Sequence, residues 1–190
     1  MRPSEVIRLF RGCHAWLEGH FVLSSGLHSH EYLQCAIIQQ HPTLINRLCQ
    51  ALAERFIGDE VTCVASPALG GIIVGYETAR HLGARAIFAE RQDGVLKFRR
   101  GFEVNPKDRV LIIEDVVTTG GSVEELVALI QNAGATLIGV GALVDRSGGW
   151  VSFDVRYHAL LSINLKSFPP SDCPLCKEGV PLSKPGSRGL

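Results

Sequence analysis

Short runs of large aliphatic residues alternate along this chain with segments in which apolar residues recur every three or four positions. The aliphatic runs have the length and β-branched content of strands that are buried on both faces. They span residues 61–65, 84–89, 110–113 and 136–144. The periodic segments predict helices over residues 42–56, 72–82 and 123–131. Buried strands that alternate with helices predict an α/β fold, in which helices flank a central parallel sheet.

The N-terminal segment is predicted to form a small separate layer. Apolar residues at helical spacing predict an amphipathic helix over residues 3–17. Two short strands are expected next, at 19–23 and 31–36, on either side of a polar turn. We interpret residues 18–40 as a hood that covers one end of the sheet.

The C-terminal segment is predicted to close the fold. Two short strands are expected at 157–161 and 162–165. We therefore expect one domain over residues 1–168, since a chain of this length forms a single core of adequate size. Residues 169–190 contain several prolines and predict an irregular tail without stable structure at its end.

The strongest chemical signal follows the aliphatic run at 110–113. Two adjacent carboxylates, Glu114 and Asp115, come directly after it. Because a buried unpaired charge is costly, we expect them where the strand emerges into a cleft. The small-residue loop 118–122 then leads into a helix, and its N–H groups and the helix dipole attract a phosphate. The carboxylates can accept bonds from sugar hydroxyls or hold a metal through water.

The alternative is an ordinary helix cap followed by a plain connecting loop, although a cap needs one acid and this stretch has two. Two other phosphate-binding motifs are excluded by the sequence. The loop lacks the Gly-Lys-Ser/Thr ending of a Walker loop, and the Gly-x-Gly-x-x-Gly pattern of dinucleotide-binding folds is absent.

Four other segments carry candidate chemistry, and each has a plainer structural alternative. The loop 66–71 again joins a strand to a helix, and is either a second anion site or a close-packed turn. The segment 90–102 has an excess of cations, and is either a solvated hairpin or a mobile lid over a polyphosphate. Arg146, at a strand end, either grips a carboxylate or pairs with Asp145. The polar turn 24–29 is either a hairpin loop or a grip for a small anion or a planar heterocycle.

Composition narrows the range of partners. The 190 residues include 19 Lys and Arg and 19 Asp and Glu, so the formal net charge is zero. A neutral chain lacks the net positive charge that attracts nucleic acid or an anionic membrane. The longest apolar runs are too short to span a bilayer, and the N-terminus does not have the pattern of a signal peptide. We therefore expect a cytoplasmic protein with no nucleic-acid or membrane partner.

The six cysteines do not predict a disulfide scaffold in a chain of this size. Cys173 and Cys176 form a CxxC pair, but a zinc ribbon needs a second pair and the chain has none. His14, beside Cys13, is the one supplement that we identify from the sequence. Structural or incidental thiols are favoured over a zinc site, and no metal is assigned to protein ligands alone.

Residues 110–122 resemble the phosphoribosyl pyrophosphate motif of type I phosphoribosyltransferases: four hydrophobic residues, two acids, two more hydrophobic residues, then Thr-Thr-Gly-Gly-Ser. All thirteen positions fit that motif. Residues 21–29 resemble the base-binding motif of orotate phosphoribosyltransferases, Phe-x-Leu-x-Ser-Gly-x-x-Ser. The first resemblance indicates the superfamily, and the second indicates orotate as the base. Together the two resemblances imply that the protein transfers the 5-phosphoribosyl group from phosphoribosyl pyrophosphate to orotate, giving orotidine 5′-phosphate and pyrophosphate.

The resemblance also implies roles for individual residues. Those expected to bind phosphoribosyl pyrophosphate are Glu114, Asp115, Val116, Val117, Thr118, Thr119, Gly120, Gly121, Ser122, Ala68, Leu69, Gly70, Gly71, Arg91, Arg99 and Arg100. Those expected to bind orotate are Ser25, Gly26, His28, Thr118 and Arg146. Those expected to act in catalysis are Glu114, Asp115, Arg91 and Lys97. Mg²⁺ is expected as a cofactor, held mainly through substrate and water. A homodimer is expected, in which the lid segment, residues 90–102, acts in the partner's site.

The sequence departs from the family pattern at three places. Many members carry lysine where this chain has Ser24, and the usual lysine of the pyrophosphate loop is replaced by Gly70. The lid segment does not reproduce the common Arg-Lys-x-x-Lys-x-His pattern. Two other functions are considered: transfer to another base such as a purine, and a non-catalytic sensor of phosphoribosyl pyrophosphate. Arg146 argues against a purine, which has no carboxylate, and the intact acidic pair favours turnover.

Overall fold

The computed structural model describes residues 1–23 and 25–185, and these form two sheets with helices around the larger one. The helices are α1 (Pro3–Gly12), α2 (Cys35–Gln39), α3 (Pro42–Ala53), α4 (Gly71–Leu82), α5 (Gly121–Asn132) and α6 (Pro174–Lys177). Short 3-10 turns cover Glu54–Phe56 and Pro170–Asp172. The strands are β1 (Trp16–Val22), β2 (His28–Leu33), β3 (Cys63–Pro67), β4 (Arg85–Gln92), β5 (Val95–Phe98), β6 (Arg109–Val117), β7 (Thr136–Asp145), β8 (Tyr157–Ser162) and β9 (Ser167–Phe168).

The larger sheet has the strand order β5-β4-β3-β6-β7-β8. All neighbouring strands in it run parallel except β4 and β5, which form an antiparallel hairpin at one edge. The predicted α/β fold with a central parallel sheet flanked by helices is therefore confirmed, with one antiparallel edge strand added. In such a sheet the loops at the carboxyl ends of the strands lie side by side, which is where ligands bind.

The central strand β6 is buried on both faces, which explains its uninterrupted run of aliphatic residues. Val110 to Ile113 are fully buried. Successive side chains of a strand point to opposite faces, so the run supplies both halves of the core. Leu111 and Ile113 pack in the cluster that contains α3 and α4, whereas Val110 and Ile112 pack in the cluster that contains α5.

Two glycines of β7 let neighbouring groups approach closely. A Cβ at Gly139 would lie 2.7 Å from the Arg156 carbonyl oxygen, and one at Gly141 would lie 2.7 Å from the Ile113 side chain. Glycine interrupts the aliphatic run of this strand because the space beside the backbone is already filled.

The hood is a second, antiparallel sheet with the order β1-β2-β9. Its third strand comes from the C-terminal segment, and Ser183 forms a further bridge to Phe21 of β1. Residues 167–185 are thus packed against the hood, although the sequence predicted an irregular tail from residue 169. The expected absence of structure at the chain end falls on residues 186–190, outside the described residues.

Several boundaries near the termini differ from those predicted. Helix α1 ends at Gly12 and not at residue 17, because a turn at Cys13 and His14 leads into β1. Trp16 then pairs with Leu33 across the hood, a long-range contact that overrides the local helical spacing. The second hood strand begins at His28, and residues 35–39 are helical. Strand β8 ends at Ser162, and residues 163–166 continue from it as a loop, so the second predicted strand at 162–165 does not form.

Helix formation elsewhere follows the predicted periodicity. The predicted segments 42–56, 72–82 and 123–131 correspond to α3 with its 3-10 turn, α4 and α5. Among the described residues, no helix combines the length and the apolar character that a membrane crossing requires.

Candidate active site

A cleft of about 490 Å³ lies at the carboxyl ends of β6 and β7. Its volume is within the range of small-molecule sites. It is lined by Leu23, Ser25, Glu114, Val116, Val117, Thr118, Thr119, Gly120, Gly121, Ser122, Val123, Arg146, Ser147, Asn164, Leu165 and Ser167. Glu114 of β6, the small-residue loop and Arg146 are therefore brought together from two strands, and the hood and the C-terminal segment close the opposite side.

Glu114 is a buried acid in the wall of this cleft, with only 8% of its surface exposed. Burial, and then the neighbouring charge of Asp115, raise the pKa of the Glu114 carboxyl well above its usual range. Its Oε1 accepts a bond from the Asp115 N–H at 3.1 Å. Within residues 1–23 and 25–185, Glu114 forms no ion pair. A bound cation or hydroxyl donors would therefore stabilise the charged form of this group.

The loop 118–122 forms the start of α5 and presents its backbone to the cleft. Gly120 has φ of 81°, and no side chain caps the helix there. The N–H groups of a first helical turn have no partner within the helix, so they remain available to a ligand. A Cβ at Gly120 would also lie 3.0 Å from Val151, so glycine is needed for both conformation and space. This geometry suits a phosphate.

Asp115 faces a different loop from Glu114. A Cβ at Gly70 would lie 2.7 Å from either Asp115 carboxylate oxygen. Gln39 joins the two, because its Nε2 donates to the Gly70 carbonyl at 3.0 Å and to Asp115 Oδ2 at 3.4 Å. The predicted loop residues 68–71 thus lie beside the acidic pair, although they are not among the residues that line the cleft.

The arrangement at Gly70 gives a physical account of the missing lysine in this loop. The backbone of residue 70 comes so close to the Asp115 carboxylate that a side chain there would displace it. Gln39 supplies the hydrogen-bond donor at this point, and no local sequence pattern marks this residue as part of the site.

Arg146 projects into the cleft from the end of β7. Its backbone N–H donates to the Val117 carbonyl at 2.8 Å, which fixes the backbone of residue 146 beside β6. Its guanidinium lies over the Tyr32 ring, 5.7 Å from the centroid. Asp145 instead accepts a bond from the Ser147 N–H at 2.7 Å, and Arg146 has no ion pair with any described residue. The salt bridge considered as an alternative role is not formed.

Fewer of the predicted orotate-binding residues of the hood lie in the cleft than expected. Ser25 lines the cleft, and Gly26, with φ of 81°, forms the adjoining turn. His28 does not line it: the ring is buried on β2 and contacts His20 and Cys176. Its expected contact with orotate therefore has no support in the geometry. Ser24 lies outside the described residues. Asn164, Leu165 and Ser167 also line the cleft, and no local pattern marked them.

The lid segment is an ordered hairpin at the sheet edge. Asp93 and Gly94 form its turn with φ of 53° and 84°. Its predicted site residues are Arg91, Lys97, Arg99 and Arg100. Arg91 is ion-paired with Glu125 at 2.7 Å, whereas Arg100 and Arg99 approach Glu90 at 2.8 and 4.0 Å. Lys97 is exposed. Within the described part of the chain, no residue of the lid segment lines the cleft. Exposed pairs of this kind are weak, so they can exchange for substrate contacts.

Comparisons with known proteins agree with this geometry. The family model for the phosphoribosyl transferase domain matches residues 34–169. An orotate phosphoribosyltransferase of Pelotomaculum thermopropionicum is 52% identical over 190 residues, covering all of both chains, and one of Caldanaerobacter subterraneus is 50% identical with the same coverage. The crystal structure of orotate phosphoribosyltransferase from Aeropyrum pernix has a TM-score of 0.72 at 23% identity. That similarity covers 83% of this chain and 93% of the other.

Proposed function

Since this chain belongs to the orotate phosphoribosyltransferases, within the phosphoribosyl transferase domain family, we propose a role for each part of its cleft. The enzyme transfers the 5-phosphoribosyl group from phosphoribosyl pyrophosphate to orotate, a step of pyrimidine biosynthesis. The single observation that carries our assignment is the position of Arg146 in the same cleft as Glu114 and the loop 118–122. The residues that can bind a ribose phosphate thereby share one cleft with an arginine that can pair with a carboxylate.

The loop 118–122 holds the 5′-phosphate of the donor. Five consecutive small or hydroxyl-bearing residues line the cleft at the uncapped start of α5. Their N–H groups supply several hydrogen bonds to an anion, and the helix dipole adds a favourable field. The loop 68–71 holds the pyrophosphate through its own backbone, beside Asp115.

Glu114 and Asp115 hold the ribose hydroxyls. Their carboxylates are oxygen ligands of the type that Mg²⁺ prefers, and the buried Glu114 has no cation of the described chain beside it. The acidic pair therefore fits a divalent ion, held partly through water. When bound, Mg²⁺ would neutralise charge on the pyrophosphate as it leaves.

Arg146 grips the orotate carboxylate. A guanidinium offers two parallel N–H donors, which match the two oxygens of a carboxylate. Tyr32 restricts the guanidinium from one side, so less freedom is lost on binding. Ser25, the backbone at Gly26 and the hydroxyl of Thr118 complete the contacts with the base.

The reaction is a displacement at the anomeric carbon. An orotate ring nitrogen forms the new bond, while the bond to the pyrophosphate oxygen breaks. Positioning by the two halves of the cleft, and stabilisation of the developing charges, supply most of the rate enhancement. The orotate ring is itself acidic, so the cleft needs no strong dedicated base.

The lid segment neutralises the leaving pyrophosphate in the partner's site of a homodimer. Support for this comes from its exposed cations, of which Arg91, Arg99 and Arg100 form surface ion pairs, and from its position at a sheet edge away from its own cleft. Closure by Arg91, Lys97, Arg99 and Arg100 would complete the electrostatics of the transition state.

A hybrid dimer tests the lid proposal. One chain carries Arg146→Ala, and the other carries Lys97→Ala, Arg99→Ala and Arg100→Ala together, with two tags for purification of the mixed dimer. If the lid acts in trans, one of the two sites contains every wild-type group, so we expect about half of the wild-type activity. Each pure variant dimer serves as a control and should be much less active. Activity of the hybrid no higher than that of its parents would contradict a lid in trans.

We place the enzyme in the cytoplasm. In the described structure none of the six cysteines forms a disulfide, which is typical of proteins in a reducing compartment. The neutral net charge gives no attraction to a membrane surface.

A further inference from the structure

Four potential metal ligands meet on the side of the hood that faces the C-terminal segment. His20 lies on β1 and His28 on β2, whereas Cys173 and Cys176 flank the start of α6. The four ligand atoms all lie within 4.8 Å of one another. His20, His28 and Cys173 are buried, and Cys176 is exposed, which leaves a route of entry for an ion.

The distances between these atoms resemble those around a tetrahedral zinc ion. His20 Nε2 and His28 Nδ1 are 3.0 Å apart. Cys173 Sγ is 3.4 Å from His20 Nε2, and Cys176 Sγ is 3.7 Å from His20 Nε2 and 3.2 Å from His28 Nδ1. Ordinary zinc bond lengths place two nitrogen ligands about 3.4 Å apart, and a nitrogen and a sulfur about 3.6 Å apart. For these four pairs, shifts of a few tenths of an ångström would suffice, and the other two pairs lie within 4.8 Å.

Hydrogen bonding orients His20 as a ligand. Its Nδ1 is 2.8 Å from the Val180 carbonyl oxygen, which can only accept, so Nδ1 carries the proton. Nε2 then has a single lone pair, directed at the other three groups. One lone pair accepts one good hydrogen bond, yet His28, Cys173 and Cys176 all approach it within 3.7 Å. A cation at the centre satisfies all four groups at once, and the carbonyl contact is the usual second-shell partner of a ligating histidine.

We propose that His20, His28, Cys173 and Cys176 bind one Zn²⁺ in a structural site. Two sulfur and two nitrogen ligands in a tetrahedron favour zinc over harder cations such as magnesium. Four protein ligands leave no open position, so the ion acts in structure and not in chemistry. Two thiolates balance its charge, and thus a mostly buried site remains neutral. The proposal does not depend on the roles assigned to the cleft.

The zinc site cross-links the hood to the C-terminal segment. His28 lies two residues after Gly26 of the hood turn, and the segment that precedes Cys173 contains Asn164, Leu165 and Ser167 of the cleft wall. Both sides of the cleft opposite Arg146 are thereby joined through one ion. We expect its loss to loosen the orotate side of the cleft more than the phosphate side.

Metal analysis of the purified full chain tests the site. The wild type should contain about one zinc ion per chain, and Cys176→Ser or His20→Gln should lose it. Cys13→Ser is the matched control, since the Cys13 thiol bonds only to the Phe10 carbonyl among the described residues and should leave the zinc content unchanged. Zinc-free wild-type protein that takes up none when titrated with Zn²⁺ in its reduced form, or equal zinc in Cys176→Ser, would overturn the proposal.

Two further measurements separate a zinc site from other uses of these groups. Cobalt substitution should give the visible spectrum of a tetrahedral site with thiolate ligands, and Cys13→Ser should keep that spectrum. Removal of zinc by a chelator should lower Tm by about 5–10 °C and should raise the KM for orotate more than that for the donor. A native Cys173–Cys176 disulfide, seen as two protected thiols in a metal-free protein, would instead refute the site.

Discussion

Replacing Glu114 by Gln is expected to stabilise the free protein above neutral pH while removing most of its activity. Burial of the Glu114 carboxyl beside Asp115 disfavours its charge, and in the described structure no cation offsets this cost. Gln has nearly the same shape and no charge. We therefore expect the free energy of unfolding at pH 8 to rise by about 1–3 kcal/mol.

The same group gives the free protein a defined pH dependence. Its pKa is raised in the folded state, so folded chains keep this proton above the ordinary value of 4.5, whereas unfolded chains release it. The contribution of this group to the free energy of unfolding is fully present below pH 4.5 and is lost as the pH rises towards the pKa of the folded state. The slope is at most about 1.4 kcal/mol per pH unit. Denaturant unfolding between pH 5 and 8 should show a flatter profile for Glu114→Gln.

Activity should change in the opposite direction. The donor hydroxyls and Mg²⁺ stabilise the carboxylate, and an amide cannot replace its charge, so kcat/KM should fall by about 100-fold or more. Glu124→Gln is the matched control, because it makes the same change at an exposed position of α5. It should alter neither the pH profile nor kcat/KM. Equal stability of Glu114→Gln and wild type across this pH range would contradict the proposed environment of Glu114.

Replacing Arg146 by Ala is expected to raise the KM for orotate by about 30- to 1000-fold, with the KM for the donor changed by less than about threefold. Truncation of one member of a close charge pair costs about 2–4 kcal/mol, because the orotate carboxylate is left without its partner. Arg146→Lys should fall between Ala and wild type, since it keeps the charge but not the two parallel donors. Steady-state kinetics with each substrate varied in turn gives both constants.

Arg11→Ala is the control for this prediction. The Arg11 guanidinium lies 5.3 Å from the Trp16 ring centroid, much as Arg146 lies over Tyr32, but Arg11 does not line the cleft. Arg11→Ala also removes a guanidinium that stacks on an aromatic ring, but outside the cleft. It should therefore leave both KM values unchanged. If Arg146→Ala raised the two KM values equally, its assignment to orotate would be wrong.

The core and the phosphate half of the cleft could be predicted because their signals are local. The run Val110 to Ile113 reports burial on two faces, and the two acids and the small-residue loop follow it directly in the chain. Helix periodicity likewise gave α3, α4 and α5. Each of these features depends on residues that are neighbours in sequence, so hydrophobic pattern and turn chemistry suffice.

The hood and its contacts could not be predicted in the same way. The apolar spacing predicts a first helix that continues to Leu17, whereas pairing with β2 decides the conformation of Trp16 and Leu17. The CxxC pair was a visible signal without partners, since His20 and His28 are about 150 residues away in the sequence. Packing of the C-terminal segment on the hood brings them together, and no local pattern encodes that packing.

A single assay tests whether this cleft joins a binding site for ribose phosphate to a binding site for the orotate carboxylate. The enzyme is incubated with phosphoribosyl pyrophosphate, Mg²⁺ and orotate, and the loss of orotate absorbance is followed while orotidine 5′-phosphate and pyrophosphate are quantified. Parallel reactions contain adenine or hypoxanthine, or a chelator in place of Mg²⁺. If the cleft has this function, we expect equal amounts of both products from orotate, no consumption of either purine and no reaction with the chelator. Consumption of a purine in place of orotate, or tight binding of the donor without turnover of any base, would contradict it.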